Sequence, residues 1–171
     1  MLVRDGRVRV DGQVAPMLTQ PVPTDARVEV DGEVIRTPNR HLVNIAVNKP
    51  SGYLSTVRDE HGRPTIMNLI PVRLKIPGLV PAGRLDMDST GLLILSNDGL
   101  LINRLTHPRY GIEKEYQVTV AGSLSDSALK KLVMGVMIPG GLVKAKSVRR
   151  LDANHYTIIL TDGRNREVRH L

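Results

Sequence analysis

At 171 residues, 41% of them hydrophobic, the chain is long enough for one ordinary domain, or a small domain joined to a medium one, and too apolar for a disordered segment. A formal net charge of +7 and a pI near 10.0 point to a polyanionic partner, nucleic acid before any other. Absence of cysteine excludes disulfides, thiolate metal sites and cysteine nucleophiles; no apolar run is long enough to span a membrane and no signal-peptide layout opens the chain, so a cytoplasmic protein is expected.

The core must be aliphatic, because the chain has four tyrosines and neither phenylalanine nor tryptophan. Any base-stacking role therefore falls to Tyr53, Tyr110, Tyr116, Tyr156, a histidine or an arginine plane.

In chain order, VRVDGQV (8–14) and VEVDGEV (28–34) form a near-repeat. Each alternates valine with polar residues around Asp-Gly, the strongest short-range hairpin signal. Two small hairpins bury little surface, so residues 1–36 read as a satellite module, with RTPNRH (36–41) as a linker. LVNIAVN (42–48) predicts a buried strand ending in the turn Lys49-Pro50-Ser51-Gly52, and PTIMNLI (64–70) a short helix with Pro64 at or near its first position. Residues 72–83 are too rich in proline and glycine for a regular element. GLLILS (91–96) predicts a strand, followed by a helix to Thr106 capped by Asn97 or Asp98. EKEYQVTVAG (113–122) predicts a strand with Tyr116, Val118 and Val120 on one face. SDSALKKLVMGV (125–136) is an amphipathic helix capped by Ser125; 142–151 and 155–161 are strands, and the last ten residues are a turn opening a helix. Strands outnumber helices and no βαβ alternation runs through the chain. The expected fold class is α+β, with a mixed, largely antiparallel sheet.

The segment GRLDMDSTGLLILS (83–96) places Asp86 directly before an apolar strand, where a carboxylate must be hydrated, hydrogen-bonded or paired. Three readings compete. Asp86 caps a turn; or Asp86, Asp88 and Thr90 form the D-x-D-x-T that resembles the nucleophile loop of haloacid-dehalogenase-type phosphatases; or Asp86 attacks a sugar or base, oriented by an arginine and needing no metal. The second reading is rejected, because Pro81-Ala82-Gly83-Arg84 precedes the motif where an apolar strand should, and Asp152, Asp162 and Glu167 are too scattered to serve a metal. For the third, Arg84 and the cluster Arg164, Arg166 and Arg169 are candidate partners, and Tyr116 a stacking surface.

Four motifs in order, NKPSG (48–52), GRLDMDSTGLLILSNDG (83–99), EKEYQV (113–118) and DGRNREVRHL (162–171), make residues 42–171 resemble the catalytic domain of the RsuA-type family of ribosomal RNA pseudouridine synthases. The hairpin segment is similar to the back half of the S4-type RNA-binding domain that precedes it in that family. The resemblance implies Asp86 as the catalytic aspartate, attacking sugar C1′ or base C6 of a uridine, Tyr116 as the residue stacking on the flipped uracil, and Arg169 as the partner of Asp86. It implies RNA contacts for Arg84, Lys49, Arg164 and Arg166. Ribosomal RNA, nearer the large-subunit branch, is the implied partner; no cofactor, metal, membrane or DNA is expected, and a monomer is. The family pattern also implies residues before Met1 and after Leu171, and Ser89 and His170 depart from it. A catalytically silent RNA-binding or ribosome-assembly factor of the same fold is the alternative.

Overall fold

The computed structural model describes residues 1–19, 21–23, 25–35, 41–139, 141–161 and 167–171. It divides into two compact units, Met1–His41 and Leu42–Leu171.

In the first unit, strands β1 (Val8–Val10), β2 (Gln13–Val14), β3 (Val28–Val30) and β4 (Glu33–Val34) form an antiparallel sheet in the order β2-β1-β3-β4. Both turns are left-handed, Asp11-Gly12 at φ 49° and 81° and Asp31-Gly32 at φ 54° and 84°, which is the primed geometry that matches strand twist. The repeat has a structural counterpart. Asp11 N–H donates to the Arg27 carbonyl and Asp31 N–H to the Arg7 carbonyl, so each turn is held by the other hairpin. The Arg7 guanidinium also pairs with Asp31 and holds its carboxyl below the usual range. Of this unit's described hydrophobic residues only Ala15 is buried, as expected of a module with little core.

The second unit opens with β5 (Asn44–Lys49). Residues 64–70 give a 3-10 turn, Ile66–Leu69, rather than an α-helix; Thr65 occupies the cap position and Pro64 lies before it. The 72–83 segment, expected to lack regular structure, contains a second 3-10 turn, Val72–Leu74, and a short edge strand, β6 (Val80–Pro81). Pro81 is tolerated there because β6 is a sheet edge. Strand β7 (Gly91–Ser96) lies between β5 and β6, antiparallel to both. Leu93 and Leu95 point into a cluster with Ile66, Ile70 and Leu79, whereas Leu92 faces outward.

Helix α1 (Gly99–Thr106) is capped by Asp98, whose carboxylate accepts the Leu100 N–H at 2.9 Å. Strand β8 (Lys114–Thr119) follows, then α2 (Asp126–Met134), capped by Ser125. The 142–151 stretch is two strands, not one. β9 (Val136–Ile138) and β10 (Gly141–Val143) form their own hairpin, and the chain crosses to β11 (Ser147–Arg150). At the crossing Ala145 is buried and its N–H bonds to the Leu132 carbonyl at the end of α2. β12 (His155–Leu160) pairs with β11 and β8, and the four-residue α3 (Glu167–His170) ends the chain. A second cluster, Leu132, Ile138, Val143, Ala145, Ile158 and Leu160, packs with Tyr116, Val118 and Val168. All paired strands are antiparallel, in keeping with an α+β fold. Among the described residues no helix is long and apolar enough to cross a membrane.

Candidate active site

Residues 82–90 connect β6 to β7, with Gly83 at φ 95° at the start and Gly91 at φ 126° where the strand begins. Much of this loop is held by hydrogen bonds. Ser55 Oγ accepts the Leu85 N–H at 3.0 Å and donates to the Leu85 carbonyl at 2.8 Å, so the residue before Asp86 is held on both sides. Leu85 itself packs on the Ile66–Leu95 cluster. The Ser89 N–H closes a turn onto the Asp86 carbonyl at 3.1 Å, and the Gly52 N–H bonds the Met87 carbonyl at 2.8 Å.

Beneath the loop lies Lys49, which is completely buried. Its ammonium donates to the carbonyls of Pro50, Met87 and Ser89 at 3.0, 3.1 and 2.7 Å, using all three of its hydrogens. Burial pushes its pKa down, while the Asp88 and Asp86 charges push it back up. The expectation that Lys49 meets RNA is therefore corrected. A side chain with no exposed surface and no spare donor cannot reach a phosphate; it staples the turn after β5 to the Asp86 loop.

Arg169 on α3 reaches this loop. Its Nε lies 3.2 Å from Asp86 Oδ2 and its Nη2 lies 3.3 Å from Asp88 Oδ2, so one guanidinium spans two carboxylates. The Asp86 side chain is one-third exposed and that of Asp88 mostly exposed. A guanidinium cannot lose its charge at neutral pH and presents parallel donors, which suits it to orient a carboxylate. Tyr116, half-buried on β8, stands close enough that burial, then Glu167, then Asp86 raise its phenol above the usual range. Glu167 is almost fully buried at the start of α3.

The sequence-predicted residues thus divide. Asp86, Tyr116 and Arg169 converge. Arg84 is exposed at the lip of the loop, two residues from Asp86. Arg164 and Arg166 lie outside the described residues. Sequence reasoning missed Ser55 and Glu167 as members of the site. A serine in a loop carries no signal of its partner, and Glu167 was weighed only as a distant metal ligand. Among the described residues no cluster of three histidine, aspartate or glutamate side chains could hold a metal ion.

Residues 43–171 match the family model described as RNA pseudouridylate synthase. The chain belongs to that family. It is 39% identical to a ribosomal large subunit pseudouridine synthase B of Pseudomonas aeruginosa, over 99% of this chain and 45% of the relative. An uncharacterized RNA pseudouridine synthase of Aquifex aeolicus is also 39% identical, over 99% of this chain and 70% of its own length. The Escherichia coli K12 ribosomal large subunit pseudouridine synthase B is 36% identical, over 99% and 61%. The chain thus spans from under half to about two-thirds of the length of these relatives. A solved structure described as a pseudouridylate synthase superposes with a TM-score of 0.70 at 26% identity, covering 99% of this chain and 72% of that one. The pseudouridine synthase fold expected from the four motifs is therefore the fold observed. Residues 1–41 of this family member hold six basic and six acidic side chains, so its whole positive excess belongs to 42–171.

Proposed function

We propose that the chain converts a specific uridine of ribosomal RNA, from the large subunit, to pseudouridine, in the cytoplasm. The observation that carries this reading is the 3.2 Å pair of Asp86 with Arg169 on a loop clamped from below by Lys49 and Ser55. The relatives named for the ribosomal large subunit supply the substrate class.

In the reaction the N1–C1′ bond breaks, a C5–C1′ bond forms, the C5 hydrogen leaves as a proton and N1 ends protonated. Atoms and electrons balance without an oxidant, a reductant or a phosphoryl donor. A carboxylate that attacks needs orientation more than activation, and Arg169 supplies it. The uridine has to leave its stack, at a cost of a few kcal/mol. Stacking on Tyr116 and contacts from exposed arginines such as Arg84 offset that cost. We read residues 1–36 as a partial S4-like segment whose RNA contacts cannot come from net charge, since it carries five basic against six acidic side chains.

The test follows from the fate of C5. Ribosomal RNA labelled with tritium at uridine C5 should release tritium on incubation with the chain. Asp86→Asn should cut release by on the order of 10³ or more while leaving RNA affinity largely intact. Release that survives the substitution would overturn the role of Asp86. No release from the parent chain, with RNA still bound, would favour the catalytically silent RNA-binding reading.

A further inference from the structure

We propose that His107, Arg109 and Tyr110 form a second nucleobase site, a platform on which a base flanking the target uridine stacks. The inference rests on RNA being the substrate and names a surface that this substrate would cover.

Helix α1 ends at Thr106, and Pro108 opens a 3-10 turn, Pro108–Tyr110, that Gly111 closes at φ 57°. His107 caps the turn by accepting the Arg109 N–H at its Nδ1, 3.2 Å away. This leaves the Arg109 guanidinium carbon 4.6 Å from the centroid of the Tyr110 ring, with Nη2 donating to the Tyr110 hydroxyl at 2.6 Å. The His107 ring stands edge-on to Tyr110, centroids 6.4 Å apart at 80°. All three side chains are exposed, and Tyr110 is the most exposed of the four tyrosines. Tyr156 is fully buried, its hydroxyl accepting the Leu124 N–H, and Tyr116 belongs to the Asp86 site. Tyr110 serves neither hydrophobic cluster.

A solvent-facing aromatic ring with a guanidinium already ordered against it is a flat, cationic surface whose rotamer entropy is spent before a ligand arrives. Stacking on such a surface tolerates any base. Its neighbours along the chain are mainly basic. From Gly99 to Lys114 the cations are Arg104, Arg109 and Lys114, and the one acid, Glu113, pairs with Lys146. The position also fits. Thr106 Cγ2 lies 3.8 Å from where a Cβ on Gly83 would stand, so the platform begins beside the turn that carries Arg84 and leads to Asp86.

The probe is a short, labelled, single-stranded oligouridylate, with an abasic ribose-phosphate oligomer of equal length as its control, each bound to the full chain and followed by fluorescence anisotropy. Tyr110→Ala should weaken the oligouridylate by about five- to a hundredfold and leave the abasic oligomer unchanged. Tyr110→Phe keeps the ring and should keep most of the affinity; Arg109→Gln should weaken the base-bearing probe more than the abasic one. If neither Tyr110→Ala nor Arg109→Gln separates the two probes, the platform is overturned. Turnover separates this result from the proposed activity. Tritium release by the parent with no Tyr110 effect on binding sinks the platform alone, whereas Tyr110-dependent binding without release sinks the activity alone.

Discussion

Replacing Lys49 with methionine keeps the length of the side chain and deletes its ammonium. Three carbonyls lose a donor, but they do not lose equally. The Met87 oxygen retains the Gly52 N–H at 2.8 Å, whereas those of Pro50 and Ser89 lose the ammonium contacts at 3.0 and 2.7 Å. A buried acceptor left without its partner costs about 1–3 kcal/mol. The variant also escapes the cost of keeping an ammonium out of water, which offsets part of that loss. The net expectation is about 2–4 kcal/mol of destabilisation, or a melting temperature lower by roughly 5–15 °C for a chain of this size. Urea unfolding measures the first figure and a thermal melt the second. Because Met87 and Ser89, whose carbonyls lose the ammonium, flank Asp88, the proposed pseudouridine formation should fall more steeply than RNA affinity. A variant with parental stability and specifically weakened RNA binding would refute the reasoning, since it would mean that the ammonium faces the substrate.

Two further outcomes are expected. Gly135, at φ 122° and ψ 138°, caps α2 in a conformation essentially reserved for glycine, and a Cβ there would stand 3.0 Å from Leu142 Cδ1 and 3.1 Å from Lys144 Cγ. Gly135→Ala should therefore cost about 1–3 kcal/mol in urea unfolding, and an unchanged midpoint would show that the hairpin after α2 gives way freely. Tyr116 has a folded-state pKa above its unfolded value, raised by burial and by the Glu167 and Asp86 charges. The folded state thus holds the phenolic proton more tightly, and this contribution to stability, complete below about pH 10, should be lost as pH climbs through the raised value. Tyr116→Phe should remove that part of the alkaline decline in a stability–pH profile, and an identical profile would contradict it.

Where the sequence spoke through local chemistry, the structure agrees. Asp11-Gly12 and Asp31-Gly32 specify left-handed turns, Asp98 and Ser125 carry the oxygen that a helix start needs, and Gly91–Ser96 is bounded as its apolar run suggests. It fell short where side-chain direction or distant packing decides. Val143 and Val148 look like one alternating strand, and nothing between them signals that Ala145 turns inward beneath α2. A lysine in a turn reads as a surface cation, and only the carbonyls of Met87 and Ser89, roughly forty residues away, draw Lys49 inside. Pairing of Arg169 with the Asp86 loop joins residues some eighty positions apart, and no periodicity can express that. The four motifs of the resemblance carried that expectation.

One feature of the second unit bears on how the site can fail. Asp86 hangs from the Ile66–Leu95 cluster through Leu85, whereas Tyr116 and Val168, beside Arg169, hang from the Leu132–Leu160 cluster. The ion pair is therefore a latch between elements packed on two different clusters. Neither cluster has to melt for the latch to open. A slide of an ångström between the two clusters would part carboxylate from guanidinium with every strand intact, so the site depends on how the clusters sit against each other as much as on either one.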